Sequence, residues 1–86
     1  MVHIERRHYP RRRVFKGAHI LFDDADVDST VRGLSIAGAT LELATTLNIP
    51  TDFTLIIPDD AFVGPCRVIW RKDKRLGIAF DDSMAG

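Results

Sequence analysis

Between residues 14 and 80 this chain is cut into short alternating apolar runs by closely spaced turn signals, and no stretch of it carries a helical apolar stripe. That punctuation restricts the fold more than any other feature, because a chain of short strands must pair them all or leave sheet edges open. Val14 to Phe22 is rich in β-branched and aromatic residues and reads as a first strand, closed by Asp23-Asp24-Ala25-Asp26, where short carboxylates favour a turn. Val27 to Leu34 reads as a second strand, antiparallel to the first, interrupted by Ser35-Ile36-Ala37-Gly38. Strict alternation resumes at Ala39-Thr40-Leu41-Glu42-Leu43, with Ala39, Leu41 and Leu43 on one face. A fourth strand, Asp52 to Ile57, ends at Pro58-Asp59-Asp60. From Ala61 onward Cys66, Val68 and Trp70 are expected to face the core, and Arg67, Ile69 and Arg71 outward, where they can extend a ligand or partner surface. A turn at Asp73-Lys74 leads into Arg75 to Phe80, with Leu76, Ile78 and Phe80 on one face. Six short strands predict an all-β protein, a six-stranded antiparallel β-barrel whose closure removes the edges.

Ahead of the strands, five arginines crowd Glu5-Arg6-Arg7-His8-Tyr9-Pro10-Arg11-Arg12-Arg13. With almost nothing to bury, the segment is expected to be a flexible basic arm, extended rather than helical because Pro10 restricts Tyr9. The expected organisation is an arm over residues 1–13, a barrel over 14–82 and a frayed tail over 83–86. The net charge of zero conceals an asymmetry. Residues 1–16 hold six Lys or Arg against Glu5 alone, and the remainder holds six against eleven carboxylates. A basic arm on an acidic body argues against DNA or RNA binding over a whole face and for a local anionic ligand.

Cys66 is the single cysteine, which excludes a disulfide framework and a cysteine-based zinc site. His3, His8 and His19 have no ligand spacing to complete a metal site and read as solvated side chains. The start of the chain has no apolar leader and no run reaches the length of a membrane span, so a cytoplasmic protein without a membrane segment is expected. Ser35 is not set in a nucleophile elbow, and no nucleophile and base can be paired, so no enzyme activity and no cofactor are expected. The acidic run Asp23 to Asp28 reads as a solvated turn that also offers screened attraction to the basic arm.

Three features, in this order, resemble the PilZ domain, the bacterial receptor module for the second messenger cyclic di-GMP. They are the Arg7-x-x-x-Arg11 pair preceded by Arg6, the turn Gly33-Leu34-Ser35-Ile36-Ala37-Gly38 leading into Ala39-Thr40-Leu41, and the closing hairpin from Cys66-Arg67-Val68-Ile69-Trp70-Arg71 to Leu76-Gly77-Ile78-Ala79-Phe80. The resemblance implies a six-stranded barrel whose outer surface binds the dinucleotide while the arm folds over it. It implies that Arg6, Arg7 and Arg11 contact the ligand, that Ser35 hydrogen-bonds near a guanine, and that Gly38 permits the tight backbone after the turn, at a positive φ. Guanidinium forks suit that task, pairing with phosphate oxygens or with guanine O6 and N7 and stacking on bases.

One position departs from the family pattern: Gly33 stands where the family carries Asp or Asn, whose oxygen accepts from the guanine edge. A hydrogen bond to a charged group is worth roughly 1.5–3 kcal/mol, about tenfold or more in affinity. A second register, Asp28-Ser29-Thr30-Val31-Arg32-Gly33, makes Asp28 a candidate to replace the missing acceptor, a backbone carbonyl being the other. The function implied is a second-messenger receptor that orders its arginine arm on cyclic di-GMP and signals to a downstream protein effector. The alternative is a degenerate PilZ-like adaptor that contacts a protein partner without binding nucleotide.

Overall fold

A computed structural model describes residues 11–81 of the chain. Six strands form there: β1 (Arg12–Phe22), β2 (Ala25–Leu34), β3 (Gly38–Glu42), β4 (Asp52–Ile57), β5 (Phe62–Lys72) and β6 (Arg75–Phe80). They close into one antiparallel barrel in the order β1-β2-β3-β6-β5-β4, with β4 returning to β1 through His19–Leu21 and Thr54–Ile56. Every strand therefore has two partners, the outcome that the punctuated sequence demands. β1 starts two residues earlier than its β-branched run suggests, because Arg12 and Arg13 continue the ladder opposite Leu34 and Gly33. No helix among the described residues is long and apolar enough to cross a membrane.

The alternation in sequence becomes the core directly. Ile20, Val31, Leu41, Leu55 and Leu76 are wholly buried, joined by Ala39, Leu43, Ile57, Cys66 and Ile78. β1–β2 and β5–β6 turn on Asp23 and Asp73, both at positive φ, which short polar side chains tolerate better than β-branched ones. Between β4 and β5 the expected Pro58-Asp59-Asp60 turn is a single 3₁₀ turn, and Lys16 ties it to β1 by a 2.6 Å ion pair with Asp60.

The expected inward set Cys66, Val68 and Trp70 is corrected at its last member. Cys66 is buried and Val68 half-buried, but Trp70 is 44% exposed on the outside of the barrel. The ladder pairs Val68 with Ile78 and then Trp70 with Gly77, so Ile69 is an extra residue in a β-bulge. One extra residue inverts the parity of everything after it. Ile69 is left exposed, Trp70 points outward, and Arg71 takes the side of Leu76 and donates to the Thr46 carbonyl at 2.9 Å. Of the three expected outward side chains, Arg67 and Ile69 are outward, and Arg71 is turned across the barrel end.

Candidate ligand-binding face

The register of four strands assembles the face. Arg12 lies opposite Leu34, so Arg11 and Ser35, one residue beyond on either side, continue past the ends of β1 and β2 as neighbours. Arg13, Gly33, Thr40, Gly77 and Trp70 are successive cross-strand partners over β1, β2, β3, β6 and β5. Within that row the two glycines leave the sheet bare. A Cβ at Gly33 would stand 3.4 Å from Arg11 Cδ, so the Arg11 stem lies against the backbone there. A Cβ at Gly77 would collide with the indole of Trp70, which lies over that strand.

Ser35 shapes the rim. Its N–H donates to the Gly38 carbonyl at 2.9 Å, and its hydroxyl oxygen accepts from the N–H of Ala37 at 3.1 Å and of Gly38 at 3.3 Å. A hydroxyl that bonds backbone two and three residues ahead holds the turn closed, the local chemistry for which serine is favoured in turns. The expected positive φ at Gly38 is corrected: no described glycine has one. Gly38 is needed because β6 passes so close that a Cβ would collide with the Ile78 carbonyl oxygen.

Arg11, Ser35, Gly38, Thr40, Trp70 and Gly77 line one cleft of about 230 Å³. The barrel thus gathers a residue from each of the three separated sequence features, the arm, the Ser35–Gly38 turn and the closing hairpin. Arg11 makes no ion pair among the described residues, which leaves a guanidinium fork beside an aromatic face. That pairing suits a planar, anionic ligand, with the fork on oxygens and the ring on a base. A second hollow of about 540 Å³ opens over Leu34, Ile57, Phe62 and Phe80 at an end of the barrel and shares only Ser35 with the cleft.

Arg6 and Arg7 lie outside the described residues. Asp28, the candidate replacement for the acceptor missing at Gly33, is not brought to the cleft. It stands five residues along β2, roughly 17 Å away at strand rise, opposite His19. There His19 Nδ1 lies 3.0 Å from Asp26 Oδ1 and 3.4 Å from Asp28 Oδ1, so His19 bridges two carboxylates on the outer face. These three potential ligand atoms sit within 4.8 Å of one another on the outer face, away from the cleft. The Cys66 thiol is buried in the core and pushed up to about 12 by that burial, so it stays protonated and unreactive at neutral pH.

Trp70 is the member of the site that pattern reading assigned to the core. The signal that pointed to it is Gly77, a glycine inside a strand, which marks a bulge or a close approach by a neighbour.

Comparison with known proteins agrees with this architecture. The family model of the PilZ domain matches the chain over residues 5–85, and among curated proteins none matches it. That match spans nearly the whole chain and coincides with a closed six-stranded barrel that brings Arg11, the Ser35–Gly38 turn and the closing hairpin to one cleft, and the protein belongs to the PilZ domain family.

Proposed function

We propose that this domain is a cytoplasmic receptor for cyclic di-GMP, seated on the outer face between Arg11, the Ser35–Gly38 turn and Trp70. PilZ is a cyclic di-GMP-binding family, and the convergence of Arg11, Ser35 and Trp70 on one cleft is the observation that carries the reading to these residues. The ligand offers two phosphodiesters and two guanines. Arg11, with Arg7 and Arg6 from the arm, supplies forks for phosphate oxygens and for guanine O6 and N7. Trp70 supplies a stacking surface worth about 1–3 kcal/mol per base. Ser35 contributes by holding the rim, and Gly38 by letting β3 and β6 approach. Because the arginines of the arm precede β1, ligand binding draws the arm onto the barrel, and the cost of ordering it lowers the net affinity. The reshaped surface then signals to a protein effector. No cofactor and no catalytic step enter this scheme.

Gly33 supports the second reading, an adaptor without nucleotide. Gly33 brings no carboxylate or amide acceptor of its own to the cleft, where its Cβ position is flanked by Arg11 Cδ at 3.4 Å and the Thr40 hydroxyl oxygen at 3.6 Å. Isothermal calorimetry with cyclic di-GMP separates the two. Saturable binding by the intact chain, reduced at least tenfold in Arg11→Ala and in Arg7→Ala, supports the receptor. No heat at high ligand concentration, from protein with an intact β-rich circular dichroism spectrum, leaves the adaptor.

A further inference from the structure

The face that holds the cleft continues past Trp70 into a separate hollow of about 540 Å³, lined by Glu42, Trp70, Lys72, Asp73, Lys74 and Arg75. Trp70 is the one residue common to the two hollows. The register explains why the charges share a face: Glu42 pairs with Arg75, and Arg75 with Lys72. Glu42 is already engaged by Arg32 at 2.7 Å, with Arg75 at 4.0 Å. Among the described residues Lys72 and Lys74 make no ion pair.

The hairpin that carries these cations is anchored. The Leu43 N–H donates to the Lys74 carbonyl at 2.8 Å, and Thr46 Oγ1 to the Asp73 carbonyl at 3.0 Å. Arg71 reaches back to the Thr46 carbonyl. Three bonds therefore fix the hairpin tip to the segment after β3, which presents Lys72, Lys74 and Arg75 from a rigid base and lowers the entropy lost on docking. The same elements expose apolar side chains, Leu47 next to Thr46 at 74% and Ile69 next to Trp70 at 61%.

We infer that the β5–β6 hairpin is a docking surface for a short acidic segment of a partner protein, its carboxylates on Lys72, Lys74 and Arg75 and its aliphatic side chains on Trp70, Ile69 and Leu47. Charge complementarity selects an anion. The exposed apolar residues select a peptide over a nucleic acid, whose sugar-phosphate track has no aliphatic side chains to cover Ile69 and Leu47. Trp70 joins this surface to the dinucleotide cleft, so a base that shifts the indole alters the wall it presents to the hollow. That coupling rests on the receptor reading; the docking surface does not.

The test uses the full chain and a fluorescein-labelled peptide of about twelve residues with repeating Glu-Glu-Leu, followed by anisotropy. A Lys-Lys-Leu peptide of equal length and a labelled oligothymidylate are the comparison probes. The acidic peptide is expected to bind saturably and more weakly as salt rises. The Lys72→Glu, Lys74→Glu double variant is expected to lose at least tenfold in affinity, and Arg67→Glu, elsewhere on β5, to retain it. Matching melting curves certify that the variants fold. Equal peptide binding by the double variant overturns the proposal, as does preferential binding of the oligothymidylate. Repeating the titration with saturating cyclic di-GMP tests the coupling: a shift in peptide affinity supports it, and no shift in a protein shown to bind the dinucleotide overturns it. A protein that fails to bind the dinucleotide removes the receptor reading and the coupling together, while the peptide titration still decides the docking surface.

Discussion

Arg11 and Gly33 are in contact: the arginine stem runs beside the point where a side chain on the glycine would begin, with Arg11 Cδ 3.4 Å from that Cβ position. That distance is ordinary van der Waals separation, so the site has room for a Cβ with Arg11 left in place. Gly33→Asp is therefore expected to fold and to restore an anionic acceptor at the guanine edge beside the arginine fork. Cyclic di-GMP affinity should rise by about tenfold or more, from a hydrogen bond of roughly 1.5–3 kcal/mol. Calorimetry on the two proteins checks it, and equal affinities would show that Gly33 does not limit the site.

Trp70 rests on Gly77, and a methyl group there overlaps the indole. Because Trp70 is partly exposed, the ring can swing toward solvent without opening the core. Gly77→Ala should leave the barrel folded, shift the emission of the protein's single tryptophan to longer wavelength, and weaken dinucleotide binding. The loss expected is that of a stacking contact, about 1–3 kcal/mol or roughly fivefold to more than a hundredfold. An unchanged emission spectrum would mean that the ring does not lie over Gly77.

Gly38 faces a different obstacle, the backbone carbonyl of Ile78. No rotamer change relieves a collision with main chain, so Gly38→Ala must push β3 away from β6. A destabilisation of at least about 1–3 kcal/mol is expected, the usual cost of overpacking. Urea unfolding followed by circular dichroism measures it, and wild-type stability in the variant would rule out the close approach.

Cys66 links stability to alkaline pH. Burial first, and then the Asp81 carboxylate, raise its thiol to about 12 against 9.0 for the free group, with a backbone hydrogen bond from Leu55 opposing. The folded state therefore holds the proton more tightly than the unfolded chain. Its contribution is complete below about pH 9 and declines as pH rises from 9 toward 12. Urea midpoints of the wild type should fall faster between pH 8 and 10.5 than those of Cys66→Ala. The native thiol should also resist a thiol-specific disulfide reagent at pH 8 until denaturant is added. Rapid labelling of the native protein would contradict the buried position.

Much of this fold is visible in the order of residues. Leu41, Leu76 and Ile78 alternate with small or polar neighbours and are buried as that alternation requires, because in an unbroken strand the period of two decides the face. Arg11, Ser35, Gly33 and Gly38 could be picked out through the resemblance to the PilZ domain, whose motifs are short and local in sequence. Other features depend on pairing. Nothing within β5 distinguishes Trp70 from a core residue, since the bulge at Ile69 exists only relative to β6. Asp28 and Gly33 both fit a turn motif, and the β1–β2 register alone sends Asp28 to His19 and leaves Gly33 beneath Arg11. The sequence by itself determined that six short strands must close on one another and that a cluster of arginines precedes them. The tertiary structure alone decided that Arg11, Ser35 and Trp70, far apart along the chain, line a single cleft, because ladder register and one inserted residue set which side chains share a face.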